Sequence, residues 1–212
     1  MESELKYAIP SKETADTIWD DMFLSRYSDN SSAEVVVMKA IYFDTEDHAL
    51  SRNDVAFRVR SEGELSFATL KWGGQTVNGL HERGEINIPV SGEEIFIQPP
   101  VDLFKESEAG QRLIRLIGDK PLYNLLETRF LRRRLKLHYK NSIFELAVDT
   151  GSVITDRGNA PVCELEIELY LGNMEDLKGI GAIISRQYGL QPENTSKLAR
   201  GLSLLALDES EK

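Results

Sequence analysis

The chain has 212 residues, of which 41% are hydrophobic, a size that fits one compact domain with a sizeable core. Its net charge of −10 argues against non-specific binding to nucleic acid or to an anionic membrane, because such binding depends on an excess of Lys and Arg. The single cysteine, Cys163, excludes an intramolecular disulfide, and no apolar run is long enough to cross a bilayer. We therefore expect a reduced, cytoplasmic protein in which any anionic ligand meets a local basic site.

No low-complexity segment or Pro/Gly/Ser-rich linker divides the chain. Residues 1–207 are therefore predicted to form a single domain, and the acidic tail 208–212 is predicted to fray. The exposed faces of the predicted helices leave room for a homodimer.

Helical patterns are confined to four places. Ser11 is a candidate N-cap for the first helix, because Glu13 follows in the first turn and an apolar stripe continues to Met22. Apolar residues at helical spacing predict two further helices, at about 108–117 and 173–188. A short last helix is expected after Thr195.

Most of the remaining chain alternates with period two, which is the signature of strands with two chemically different faces. On one strand after another the same face carries charged or polar side chains, while the opposite face is aliphatic or aromatic. The sets that share such a face are Glu2, Glu4 and Lys6; Arg58 and Arg60; Thr69 and Lys71; Arg83, Glu85 and Asn87; Arg132, Arg134 and Lys136; Glu145 and Asp149; and Glu164, Glu166 and Glu168.

In an ordinary half-exposed sheet, such a polar face would simply meet water. Here the apolar face, for example Phe57 and Val59, needs burial under the predicted helices, so the charged face becomes the inner one. Closing the strands into a barrel would bring these faces together around a lumen. Desolvating so many charges is costly, which favours a functional site over a purely structural one.

The residue types in this lumen suit a metal–polyphosphate complex. Arg and Lys supply forks and point charges for phosphoryl oxygens, and Glu and Asp oxygens are hard ligands for Mg²⁺ or Mn²⁺. The chain has no Walker-type Gly-Lys-Ser/Thr loop, no His-Glu-x-x-His, no Gly-x-Ser-x-Gly and no cysteine pair for zinc.

Several motifs in order along the chain resemble the CYTH domains of the triphosphate tunnel metalloenzymes. The family hallmark Glu-x-Glu-x-Lys is matched by residues 2–6, and residues 41–45, 57–60, 69–71, 80–83, 163–166 and 196–201 follow it in the expected order. Residues 79–85 and 196–201 are most similar to the bacterial inorganic triphosphatase branch, although no helical CHAD domain follows within these 212 residues.

The resemblance implies a β-dominated α+β fold, a closed eight-stranded antiparallel barrel with helices packed outside, that hydrolyses triphosphate with Mg²⁺ or Mn²⁺. It implies three overlapping sets of site residues. The metal set is Glu2, Glu4, Glu164, Glu166 and Asp149; the triphosphate-binding set is Lys6, Arg58, Arg60, Lys71, Arg83, Arg132, Arg134 and Lys197; and the catalytic set is Glu4, Glu166, Lys6 and Glu85.

Some alternatives remain open at this stage. Strand register decides which of Arg129, Arg132, Arg133 and Arg134 face the lumen, and the alternation favours Arg132 and Arg134. The substrate could instead be thiamine triphosphate, a nucleoside triphosphate or an RNA 5′-triphosphate. The protein could also be a class IV adenylate cyclase, or a polyphosphate sensor without catalysis. His81, beside a predicted turn, is expected to have a supporting or surface role rather than a catalytic one.

Overall fold

The computed structural model describes residues 1–21 and 24–206. Met22, where the first predicted apolar stripe ends, and the predicted tail 208–212 lie outside the described residues.

Nine strands and four α-helices make up the regular structure of this part of the chain. The strands are β1 (Glu2–Ala8), β2 (Ser28–Asp44), β3 (Val55–Glu62), β4 (Leu65–Val77), β5 (Leu80–Val90), β6 (Tyr123–Tyr139), β7 (Ser142–Thr155), β8 (Gly158–Leu171) and β9 (Gln191–Pro192). The helices are α1 (Lys12–Asp20), α2 (Glu108–Ile117), α3 (Met174–Tyr188) and α4 (Lys197–Ala206), with short 3-10 helices at Leu24–Arg26, Ser51–Asn53, Glu94–Phe96 and Val101–Phe104.

Eight of the strands form a closed antiparallel barrel. Their order is β5-β4-β3-β2-β6-β7-β8-β1, and pairing between β1 and β5 closes the sheet. The two-residue strand β9 pairs with the end of β1, next to the part that pairs with β5. The predicted fold class is therefore confirmed, and β1 is the strand that closes the barrel, because it pairs with β5 on one side and with β8 on the other.

The first three helices cover the outside of this barrel. Ser11, Ser107 and Asn173 cap them, each accepting a hydrogen bond from the backbone N–H three residues on. The observed bounds of α2 match the prediction, and α3 begins one residue later than predicted because Asn173 is its cap.

Two outer hydrophobic clusters hold these helices in place. In one, Ile18 of α1 and Ile180 of α3 pack on β1, β7 and β8; in the other, Leu113 of α2 packs with Phe104 against Phe57. Burial of the aliphatic faces on the outside leaves the charged faces inside, as the alternation predicted.

Helix α4 is placed differently, because it packs against side chains of the inner face. Its Gly201 approaches Leu126 and Val153, and its Leu198 packs on the same cluster and lines the barrel cavity. The first turn of α4 therefore enters the barrel and carries Lys197 into it.

This close approach makes Gly201 a sensitive position. A Cβ at Gly201 would lie 2.3 Å from Cδ2 of Leu126 and 3.0 Å from Cγ1 of Val153, so Gly201→Ala requires the buried Leu126 side chain or α4 itself to shift. We expect the substitution to lower the free energy of unfolding by about 1–3 kcal/mol, measured by urea denaturation. Ser203→Ala, at an exposed position of the same helix, serves as the control and should change stability little; equal effects of the two substitutions would contradict this packing.

Candidate active site

The barrel encloses a cavity of about 300 Å³ whose wall is mostly charged. Twelve of the residues predicted for the site line it: Glu2, Glu4, Lys6, Arg58, Arg60, Lys71, Arg83, Glu85, Arg132, Arg134, Glu166 and Lys197. Asp149 and Glu164 are also predicted site residues, but they are fully buried behind this wall and do not line it.

Strand register explains why the acidic residues meet. Because β1 lies between β5 and β8, Glu4 is the register neighbour of Glu168, and Lys6 is the neighbour of Glu166. On the other side of β1, Glu2 is the register neighbour of Arg83. The hallmark residues of β1 therefore lie between the acidic residues of β8 on one side and Arg83 of β5 on the other.

At the α4 end of the cavity, the carboxylates are already neutralised. The Nζ atom of Lys197 lies 2.8 Å from Asp149 Oδ2 and 3.0 Å from Glu166 Oε1, and it also bonds Glu164. Arg132 makes a bidentate pair with Asp149, at 2.8 and 2.7 Å, and bonds Glu166. We call Asp149, Glu164, Glu166, Lys197 and Arg132 the paired cluster.

The electrostatics of the paired cluster are those of a satisfied ionic network. Burial would raise the pKa of Glu166, but Lys197, Lys6 and Arg132 outweigh it and hold that pKa well below its usual range. The carboxylate oxygens of Asp149, Glu164 and Glu166 come within 4.8 Å of one another, close enough to share a metal ion. An ion there would have to compete with Lys197, so the metal-binding roles of Asp149 and Glu164 stay predictions.

One acidic residue outside the paired cluster lacks such compensation. Glu168 has no ion pair within the described part of the chain, and burial together with the carboxylates of Glu2, Glu4 and Glu145 raises its pKa to about 8. Burial and a hydrogen bond shared with Glu85 raise the pKa of Glu2 to about 7. We call Glu2, Glu4 and Glu168 the open acidic wall of the cavity. Glu2 pairs with Lys71 at 2.6 Å and Glu4 with Lys6 at 3.6 Å, whereas Glu168 is unpaired among the described residues. Carboxylate oxygens are the ligands that hard divalent cations prefer.

Glu168 is a residue that the sequence-based assignment missed. It has the same alternation as Glu164 and Glu166, which made all three equivalent in sequence. Only its register with Glu4 distinguishes it, and register depends on how the barrel closes.

The basic wall of the cavity, by which we mean Arg58, Arg60 and Arg83, is also incompletely paired. Among the described residues, Arg58 and Arg83 have no carboxylate within ion-pair distance; Arg58 donates to the Tyr42 hydroxyl at 2.9 Å and Arg83 donates to Nδ1 of His81 at 3.3 Å. Arg60 pairs with Glu62 at 2.7 Å through one Nη atom only. The Nε atoms of Arg58, Arg60 and Arg83 are buried without a hydrogen-bond partner in this part of the structure. Three guanidinium donors are thus available for an anion.

The other predicted lysine and arginine residues are engaged. Lys71 bridges Glu2 at 2.6 Å and Glu85 at 2.8 Å. Arg134 pairs with Glu34 at 2.9 Å, near the exposed end of the cavity where Tyr170 donates to Glu145. Arg132 and Arg134 line the cavity, as the alternation favoured.

Arg129 and Arg133 have their contacts elsewhere. Arg133 lies over the ring of Trp19 in α1 and pairs with Asp16, whereas Arg129 is exposed and pairs with Glu127. The run of basic residues in β6 is therefore divided between the two faces of the strand.

The open acidic wall generates a pH prediction for the metal-free protein. Glu168 holds its proton in the folded state up to about pH 8 but releases it near pH 4.5 when unfolded, so the unfolding free energy should fall as pH rises through this window. Denaturation across that range should show the slope, and Glu168→Gln should reduce it. The exposed Glu64→Gln is the control; an unchanged slope in Glu168→Gln would contradict the assignment.

Comparison with known proteins agrees with this architecture. The family model of the CYTH domain matches residues 1–202. An inorganic triphosphatase from Haemophilus influenzae is 29% identical over 168 residues, which cover 77% of this chain and 44% of that protein. The chain therefore spans less than half the length of this curated relative.

Solved structures share the fold. An adenylyl cyclase candidate from Hippeastrum, described as having a dominant triphosphatase activity, superposes with a TM-score of 0.68 at 20% identity, covering 96% of each chain. An adenylate cyclase candidate from Bacillus halodurans superposes with a TM-score of 0.56 at 20% identity, covering 92% of this chain and 94% of that one. No helix within the described residues is long and apolar enough to span a membrane.

The match over residues 1–202, together with the closed barrel and its inward-facing charges, shows that this chain belongs to the CYTH domain family.

Proposed function

We propose that this chain hydrolyses inorganic triphosphate to pyrophosphate and phosphate, with Mg²⁺ or Mn²⁺ as its cofactor. The observation that carries the proposal is the arrangement of unpaired charge. Within the described part of the chain, two arginines without a carboxylate partner, Arg58 and Arg83, and a carboxylate without a cation, Glu168, line one small cavity. The Haemophilus influenzae and Hippeastrum relatives support it, since both are described as triphosphatases.

The basic wall would bind the phosphate chain. Arg58, Arg60 and Arg83 each have a buried Nε–H group without a partner, and a guanidinium fork matches two phosphoryl oxygens at once. Lys71 and Lys6 lie on the same cavity and would add positive charge near the phosphates. Tyr42 would keep the Arg58 guanidinium in place through its 2.9 Å hydrogen bond.

The open acidic wall would hold the metal. We assign this role to Glu2 and Glu4, as the family resemblance implies, and add Glu168 because it is their uncompensated neighbour. When bound, a divalent ion would neutralise the charge on the phosphoryl oxygens and orient the substrate. Asp149, Glu164 and Glu166 are the competing set, with Lys197 already occupying the space between them.

Glu85 is the candidate for orienting the attacking water. Burial opposes its ionisation, but the hydrogen bond from Glu2 and the charges of Lys71 and Arg58 outweigh burial and lower its pKa. Glu85 is thus an ionised carboxylate on the cavity wall, able to accept a hydrogen bond from water beside the phosphate-binding arginines.

The size and lining of the cavity favour a small inorganic substrate. Its volume of about 300 Å³ is at the low end of ligand pockets. Of the aromatic rings on its wall, Tyr42 is covered by Arg58, and Phe130 is contacted by Arg132 and Lys197. These two rings are therefore engaged, and Tyr170, at the exposed end of the cavity, is the remaining aromatic ring on the wall among the described residues.

A direct test compares phosphate release from inorganic triphosphate and from ATP, with Mg²⁺ and with Mn²⁺. We expect the rate with inorganic triphosphate to be well above that with ATP, and equal rates would contradict the assigned substrate. Arg58→Ala should lower kcat/KM by roughly 10²-fold or more, because it removes charge stabilisation at the phosphates. Arg129→Ala, on the outer face of β6, is the matched control and should leave kcat/KM unchanged.

The location of the metal is testable with a second matched pair. Glu168→Gln should weaken binding of Mn²⁺, measured by calorimetry, by more than roughly tenfold, since it removes an oxygen ligand. Glu164→Gln should leave Mn²⁺ affinity nearly unchanged but lower thermal stability, because Lys197 loses a partner in a buried site. The reverse pattern would place the metal at the paired cluster instead.

The other activities considered from the sequence have distinct readouts. Formation of cyclic AMP from ATP would identify a cyclase, the function suggested for the Bacillus halodurans structure. A sensor would bind triphosphate without releasing phosphate with any metal, and Glu4→Gln would leave that binding nearly intact.

A further inference from the structure

His81 is buried beside the cavity, at 1% exposure, where three segments of the chain meet. It lies opposite Glu4 of β1 and Thr76 of β4 in the barrel register. Its ring also contacts the segment between β9 and α4, because Nε2 lies 2.8 Å from the backbone oxygen of Glu193. A surface role, one of the two sequence expectations for His81, is therefore wrong.

The contacts of the ring determine its tautomer. A backbone carbonyl only accepts hydrogen bonds, so Nε2 must carry a proton and donate to Glu193. In a neutral imidazole, Nδ1 is then an acceptor, and it faces two donors: Nη2 of Arg83 at 3.3 Å and the Thr76 hydroxyl at 3.2 Å. Burial lowers the pKa of His81, which agrees with a neutral ring.

Arg83 is the member of the basic wall that depends most on this contact. It has no ion pair within the described residues, and its Nε is buried without a partner. The hydrogen bond to Nδ1 of His81 is thus the only hydrogen bond or ion pair that the Arg83 side chain makes in the described structure. A long, flexible side chain held at one Nη keeps its remaining donors directed at the cavity.

The His81 ring also links Arg83 to the segment between β9 and α4. Besides the His81 contact, the Glu193 N–H donates to the Lys6 carbonyl at 2.9 Å, and Asn194 Oδ1 accepts from the Gly79 N–H at 2.8 Å. This short segment is therefore hydrogen-bonded to β1 and to the turn before β5, and it is followed by Ser196 and Lys197 on the cavity wall.

We propose that His81 is a positioning residue that orients the Arg83 guanidinium for the phosphate chain through Nδ1, while Nε2 anchors the segment entering α4. The inference rests on the proposed function, since it assumes that Arg83 binds phosphate. A purely structural histidine would serve the Glu193 anchor alone, so the two ring nitrogens have separable roles.

Two substitutions separate these roles. Asn reproduces the position of Nδ1 and keeps an acceptor for Arg83, whereas Gln reproduces the position of Nε2 and keeps a donor for Glu193. We expect His81→Gln to raise the KM for inorganic triphosphate by roughly tenfold with a smaller change in kcat, as expected for a lost hydrogen bond to a charged group. His81→Asn should keep KM near that of the wild type and lower the melting temperature, because the Glu193 carbonyl loses its partner.

A double-mutant cycle tests whether the effect runs through Arg83. In an Arg83→Ala background, His81→Gln should cause little further rise in KM, because the guanidinium it orients is absent. Thr76→Val is the control: it removes the other donor to Nδ1 and should leave KM unchanged. An undiminished effect of His81→Gln in Arg83→Ala, or a Thr76→Val variant that reproduces it, would overturn the proposal.

The remaining outcomes also decide the question. If His81→Gln does not fold, the KM of His81→Asn decides: a raised KM refutes the proposal, and an unchanged KM supports it. If neither variant folds, His81 is structural and the proposal is overturned. If the wild type does not hydrolyse triphosphate, the proposed function has failed. The role of His81 is then measured as triphosphate affinity by calorimetry with the same variants, and equal affinity of wild type and His81→Gln overturns it.

Discussion

Pairing of buried charge is the constraint on which this structure depends. A closed barrel with inward-facing Glu, Lys and Arg must either pair those groups or bear the cost of desolvating them, several kcal/mol per ion. At the α4 end the buried charges are paired, because Lys197 donates hydrogen bonds to three carboxylates and Arg132 donates to two of them. This pairing also gives α4 a fixed position, since its first turn carries Lys197 into the cluster.

Ion pairing is complete at the α4 end of the cavity but not along the rest of its wall. Glu166 draws on Lys6, Arg132 and Lys197, so these cations are committed before any ligand arrives. Further along the wall, Glu168 has no cation, and Arg58 and Arg83 have no carboxylate within the described residues. Arg83 on β5 and Glu168 on β8 are separated only by β1, and leaving them unpaired is understandable if a cation and an anion enter together.

The sequence predicted the faces better than it predicted the pairings. Alternation placed Arg58, Arg60, Lys71 and Glu85 correctly on the cavity, because each strand has one face that must be buried under helices. It could not distinguish Glu168 from Glu164, since both follow the same period and only barrel register brings Glu168 beside Glu4. Lys197 lies on a helix, where strand alternation says nothing, and the resemblance alone pointed to it. The saturation of Arg132 depends on Asp149, 17 residues away along the chain, and such a contact has no local signal.

The Glu-x-Glu-x-Lys pattern of β1 can be understood from the neighbours of that strand. Lys6 lies 3.0 Å from Glu166 and 3.6 Å from Glu4, so it serves the paired cluster and its own strand neighbour. Glu4 lies opposite the unpaired Glu168, and Glu2 shares Lys71 with Glu85. A carboxylate in place of Lys6 would add charge to a cluster that is already acidic. A lysine in place of Glu4 would fill the open acidic wall with a cation of its own, as Lys197 does for Glu164. The order of charges along five residues thus connects the part of the barrel whose charges are paired to the part where Glu168 has no cation among the described residues.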